Sequence, residues 1–198
     1  MNSIFGVKVM EDYIRMCHDG VRQGWHERNG GNLTYRMKEE EVAECRPYFR
    51  EEPGPWIKMG VEADNLKKEY FIATGSGKFL QNVGLEPQNS ICIVEINDAG
   101  DAYRIVWGLE NGGRPTSEFP THFMNHSVRK RVTNGANRVS GGCVRILRGG
   151  LARKKIMEII RHHQQHFGRR QLFWLFHLKG HQLIDRIIYL LLNTGSGI

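Results

Sequence analysis

The stretch Tyr70-Phe71-Ile72-Ala73-Thr74-Gly75-Ser76-Gly77-Lys78 decides the fold of this 198-residue chain. Five residues suited to an extended backbone run directly into a glycine-rich turn, the pattern of a strand and its exit. Residues 91–97 and 102–109 repeat it, with β-branched residues in the runs and turn residues between them. Upstream, Val9, Tyr13, Ile14, Cys17 and Val21 fall at helical spacing and predict an amphipathic helix over 9–24. Asn29-Gly30-Gly31-Asn32 then turns the chain into a short strand, LTYRM (33–37). Residues 38–69 are polar and proline-bearing, and their acidic run Glu39, Glu40, Glu41 reads as a solvated face without function. Residues 116–132 predict a helix that tolerates Pro120 in its first turn. The sum is an α/β domain with helices packed on a largely antiparallel sheet.

Composition narrows the function classes. With 40% apolar and 25% charged residues the chain reads as a soluble globular protein. The net charge of +7 is unevenly placed: residues 1–139 carry 18 Lys and Arg against 19 Asp and Glu, and residues 140–198 carry 10 against 2. A uniformly basic nucleic-acid binder is therefore not expected. The apolar stretch 171–192 is broken by Lys179, His181, Gln182, Asp185 and Arg186, which argues against a membrane span. Leu172, Leu175, Phe176, Leu183, Ile184, Ile187 and Leu191 make a helical stripe there instead. Cys17, Cys45, Cys92 and Cys143 are widely spaced, which suits reduced thiols in the cytoplasm. The N-terminus has no apolar core of the signal-peptide kind, because acidic residues arrive at Glu11 and Asp12. The organisation expected is a domain over 1–139 and a divergent basic tail over 140–198.

Three elements carry chemistry. The turns at 29–32 and 74–78 are built of glycine with Asn, Ser and Thr, residue types that let backbone N–H groups and neutral side chains converge on a phosphate. Neither has Walker A spacing, and each alone is more often an ordinary turn. The third is Pro115-Thr116-Ser117-Glu118-Phe119-Pro120, where Glu118 opens a helix. A Glu there is ordinarily a surface partner of the helix dipole. Set between Ser117 and Phe119 it is also placed for general acid–base work. His122 and His126 have the i, i+4 spacing of two metal ligands on one face, and equally of two structural histidines.

GWHERNGGNLT (24–34), FIATGSGKFLQNV (71–83) and VWGLENGGRPTSEFPTHFMNH (106–126) resemble the rhamnulose-1-phosphate aldolases, a family of zinc-dependent class II aldolases. The resemblance covers about residues 10–139. It implies a three-layer domain, incomplete here, with helices around a mainly antiparallel sheet. It also implies cleavage of the phosphorylated ketose L-rhamnulose 1-phosphate to dihydroxyacetone phosphate and L-lactaldehyde by a cytoplasmic homotetramer. By the same resemblance Glu118 matches the catalytic acid/base, and Asn29, Gly31, Asn32, Ser76, Gly77 and Ser117 match the phosphate cradle. In the family the run matching 134–139 leads into a strand with a His-x-His pair, two of three zinc ligands. Here the sequence reads Ser140-Gly141-Gly142-Cys143-Val144-Arg145, and no His-x-His follows residue 139. The family counterparts of His122 and His126 are not ligands, so no residue is assigned to a metal. His162, His163 and His166, and the pair His177 and His181, have helical spacing but lack the intervening Glu of a zinc-protease motif.

The break at 140 implies a truncated or frameshifted member of impaired activity, its tail helical or poorly ordered. Two other origins of the tail stay open: a replacement module whose basic face meets an anionic surface, and an artefact of assembly. The alternative function is a non-catalytic phosphate- or polyanion-binding protein, and neither nucleic acid nor a membrane is expected as a partner.

Overall fold

A computed structural model describes residues 3–26, 29–146 and 186–190. Its centre is one seven-stranded sheet. In chain order the strands are β1 (Asn32–Arg36), β2 (Ile57–Lys58), β3 (Tyr70–Thr74), β4 (Ile91–Ile96), β5 (Ala102–Gly108), β6 (Val139–Ile146) and β7 (Arg186–Leu190). They lie in the order β2-β5-β4-β3-β1-β6-β7, and every neighbouring pair is antiparallel. β3, whose sequence is the clearest strand signal in the chain, sits at the middle of this order.

The pleat sorts side chains into two cores. On one face Leu33, Ile72, Ile91, Ile93 and Val106 pack with Val9, Met10, Tyr13 and Cys17 of helix α1 (Lys8–Arg22). On the other, Phe71, Ala73, Cys92, Val94 and Ile105 pack with Phe119 and Phe123 of a 14-residue helix, Phe119–Val132. The sheet is thus covered on both sides, the three-layer arrangement that buried strands with apolar runs require. Tyr13 fixes α1 to the sheet by donating its hydroxyl to Leu33 O at 2.6 Å. The segment 38–69 is more structured than its polarity suggests. It holds helix α2 (Glu39–Cys45), where Glu41 Oε2 accepts from Lys38 N at 2.8 Å and Tyr35 donates to Glu41 Oε1 at 2.9 Å. Glu39 and Glu40 do face solvent, but Glu41 is half-buried and caps the helix. After the short helix α3 (Pro87–Ser90), the 14-residue helix above is α4.

The compositional break at residue 140 falls inside β6, which continues through it and pairs with β1. Where the apolar tail segment is described it is not helical. Arg186–Leu190 is a strand, and a run of Ile187, Ile188, Tyr189 and Leu190 fits a ladder against the open edge of β6. The rest of the expected helical stripe, and the tail histidines, lie outside the described residues. Among the described residues no helix is long and apolar enough to cross a membrane.

Candidate active site

Hydrogen bonds at one end of the sheet draw the three chemically suggestive segments together. At the start of β1, Leu33 N donates to Thr74 Oγ1 at 3.1 Å, which ties the first glycine turn to the end of β3. Beyond Thr74 the chain bridges to the third segment through Gly75 and Pro115. Thr116 N donates to Thr74 O at 2.8 Å, and Ser76 N donates to Arg114 O at 2.8 Å. Asn32, Ser76, Gly77, Ser117 and Glu118 therefore share one end of β1 and β3, while Asn29 and Gly31 lie in the turn entering β1.

Each member has a local cause. Gly77 takes φ 71°, the left-handed conformation glycine adopts at no steric cost. Ser76 is exposed and commits its backbone N–H to Arg114 O, which leaves the hydroxyl as its uncommitted donor among the described residues. The N–H groups of Gly77 and Ser117 find no acceptor among the described residues. Thr116 Oγ1 accepts from Glu118 N at 3.3 Å, and Phe119 N donates to Thr116 O at 2.9 Å. That turn delays the helix to Phe119, three residues after the predicted start, and leaves Glu118 as its N-cap residue. The Glu118 side chain is half-buried and accepts no hydrogen bond from any described residue.

Sequence reasoning missed His26. Its ring lies between Gly20 and Gly31, where added Cβ atoms would stand 2.6 Å from Nε2 and 1.9 Å from Nδ1. Burial lowers its pKa and so favours the neutral ring. The signal was the glycine on each side, which periodicity arguments do not weigh. Gly31 also has φ 90°. Gly31→Ala is therefore expected to displace the ring and to cost about 1–2 kcal/mol of stability, measured by urea unfolding. Unchanged stability would show that the slot does not hold the ring.

Behind Asn32 lies a buried polar chain. Asn32 Oδ1 can only accept, so His122 donates to it from Nε2–H at 2.6 Å. His122 Nδ1 is then the acceptor for the Thr34 hydroxyl at 3.0 Å, and Thr34 Oγ1 accepts from His126 Nε2–H at 2.9 Å. Ser140 O is the second acceptor within reach of the Thr34 hydroxyl, at 3.2 Å. His126 Nδ1 is buried without a partner among the described residues. Burial pushes the pKa of His122 down to about 4. That of His126 falls well below the ordinary value, through burial and then the charges of His122, Arg36 and Arg129. Both rings are held neutral and both are structural: they orient Asn32.

β6 lies directly against this site, with Gly142 opposite Asn32 and Ser140 opposite Thr34. It is the strand on which the resemblance places two zinc ligands, and it carries no histidine. Among the described residues no group of three His, Cys, Asp or Glu side chains is placed to hold a metal ion. These residues do not fit a zinc centre.

The family profile described as Class II Aldolase and Adducin N-terminal domain matches residues 11–134. The chain belongs to this family. Two curated relatives of the class II aldolase domain are named rhamnulose-1-phosphate aldolase. The protein of Mannheimia succiniciproducens is 36% identical over 143 residues, and that of Yersinia pestis (strain Pestoides F) is 39% identical over 143 residues. Each match covers 72% of this chain and 52% of the relative, so the chain spans about half the length of the curated relatives it matches. A sugar-phosphate aldolase from Thermotoga maritima shares the fold at a TM-score of 0.51 and 24% identity, over 67% of this chain and 51% of that one.

Proposed function

We propose that this class II aldolase domain binds the phosphate of a phosphorylated ketose and that it derives from a rhamnulose-1-phosphate aldolase. The observation that carries the reading is the convergence of the three turns at one end of β1 and β3, where the N–H groups of the exposed residues Gly77 and Ser117 find no acceptor among the described residues and half-buried Glu118 opens α4. Asn29, Gly31, Asn32, Ser76, Gly77 and Ser117 would cradle the phosphate with neutral donors, which stabilise a dianion by hydrogen bonds in place of its water. Glu118 would hold the proton delivered to C3 of L-rhamnulose 1-phosphate as the C3–C4 bond breaks, the products being dihydroxyacetone phosphate and L-lactaldehyde. Because the described residues do not fit zinc, impaired cleavage with retained phosphate binding is the expected state of this chain. A homotetramer in the cytoplasm is the assembly proposed with it.

The test uses the full chain with L-rhamnulose 1-phosphate, with and without added zinc. Lactaldehyde release is followed in parallel with calorimetric binding of dihydroxyacetone phosphate. Binding without cleavage supports the impaired aldolase. Cleavage at the pace of an intact aldolase, lost in Glu118→Gln, overturns impairment and supports the catalytic role. Absence of binding removes the cradle reading. Translating the coding DNA past codon 139 in the other two frames tests the origin of residues 140–198, since a His-x-His strand there would establish a frameshift.

A further inference from the structure

At the opposite end of β1 and β3 from the glycine turns lies a second concavity, of about 590 Å³. Its floor is Arg36, Glu69, Lys130 and Arg138, and its rim carries Lys38, Arg46 and Lys68 with one exposed carboxylate, Glu39. Arg36 is 2% exposed. It donates from Nη1 to Glu69 Oε2 at 3.0 Å and from Nη2 to Gly135 O at 2.8 Å, while its buried Nε–H has no partner among the described residues. Lys130 reaches the same carboxylate and Asn65 O. Among the described residues Arg138 donates to the backbone carbonyls of Arg36 and Met37, at 3.3 and 3.0 Å.

The floor thus holds three cations and one carboxylate, which pairs with Arg36 and Lys130. On the rim, Lys38 and Lys68 pair only loosely with Glu40 (3.7 Å) and Asp98 (3.3 Å), both well exposed. Arg46 lies over the rings of Phe49 and Tyr70 with no carboxylate paired to it among the described residues. Excess positive charge held partly out of water is costly unless an anion joins it. A concavity floored by a buried guanidinium and lined by more cations than carboxylates is suited to phosphate oxygens, which accept several charge-assisted hydrogen bonds at once. The volume is that of a small-molecule site. The basic tail is mismatched in charge as an occupant.

We infer that this pocket is a second anion site, separate from the cradle, which takes a small phosphate-bearing molecule. The probe is pyrophosphate, titrated calorimetrically into the full chain. Three variants are compared with the parent: Lys38→Ala/Arg46→Ala on the rim, Ser76→Asp in the cradle, and Arg15→Ala/Arg22→Ala as an exposed, charge-matched control on α1. The rim pair is expected to weaken binding at least about tenfold at an unchanged melting temperature, through two lost charge-assisted contacts. Ser76→Asp should leave that binding event in place, so failure of the cradle is read separately. No binding by the parent, equal weakening by the α1 control, or loss in Ser76→Asp alone would each overturn the inference.

Discussion

Acidification from pH 7 to pH 4 is expected to cost the folded chain about 3 kcal/mol through His122 alone. The unfolded chain protonates this imidazole near its ordinary value of 6.5, whereas burial holds the native ring neutral down to about 4. Stability from this group is therefore complete above 6.5 and is lost as the pH falls towards 4. His126, shifted in the same direction, adds to the slope. The shared hydroxyl is the companion test. Thr34→Val strands two buried ring nitrogens at once and should cost about 2–4 kcal/mol at pH 7.5. Urea unfolding of the full chain across this pH range measures both. A flat stability profile, or a Thr34→Val loss below about 0.5 kcal/mol, would show that the network is not satisfied as described.

The second large effect is at Asn32. Asn32→Asp keeps an oxygen for His122 but replaces the amide NH2 with carboxylate where the proposed cradle meets a phosphate. Affinity for dihydroxyacetone phosphate should fall at least about 100-fold, a lost hydrogen bond and a like-charge repulsion combined. The new carboxylate would also raise the pKa of His122 towards its unfolded value, which shrinks the acid loss described above. One substitution thus reads out both the cradle and its support. Calorimetry and the pH series report them separately, and unchanged binding would remove Asn32 from the cradle.

Much of this was legible in the sequence because local chemistry and tertiary packing agree there. Tyr70–Thr74 forms a strand over the residues its composition marks out, and α1 starts and stops within two residues of its apolar spacing. The motifs of the resemblance also pointed to segments that the fold brings together. What was hidden has physical reasons. Helix α4 buries His122, His126, Ser127 and Arg129 alongside its aromatics, so its inward face is polar and its role cannot be read from apolar periodicity. Glu41 looks like one more solvated carboxylate until the backbone N–H of Lys38 and the Tyr35 hydroxyl are found bonded to it. The strand at Arg186–Leu190 lies within a stripe that also fits helical spacing, because a short apolar run fits either period, and pairing with the edge of β6 decides.

β1 has a consequence beyond any one site. Its alternate residues Asn32, Thr34 and Arg36 are all buried, and they meet in turn the proposed cradle, the histidine pair and the cationic pocket. The intervening Leu33 and Tyr35 belong to the apolar core on the other face. A slip of one residue would turn an amide, a hydroxyl and a guanidinium into the grease around Tyr13 and leave two neutral histidines without partners. Apolar ladders tolerate misalignment far better than that. The polar spine of β1 therefore acts as a combination lock on strand pairing: the same three residues that serve two ends of the molecule also forbid it from assembling in any other alignment.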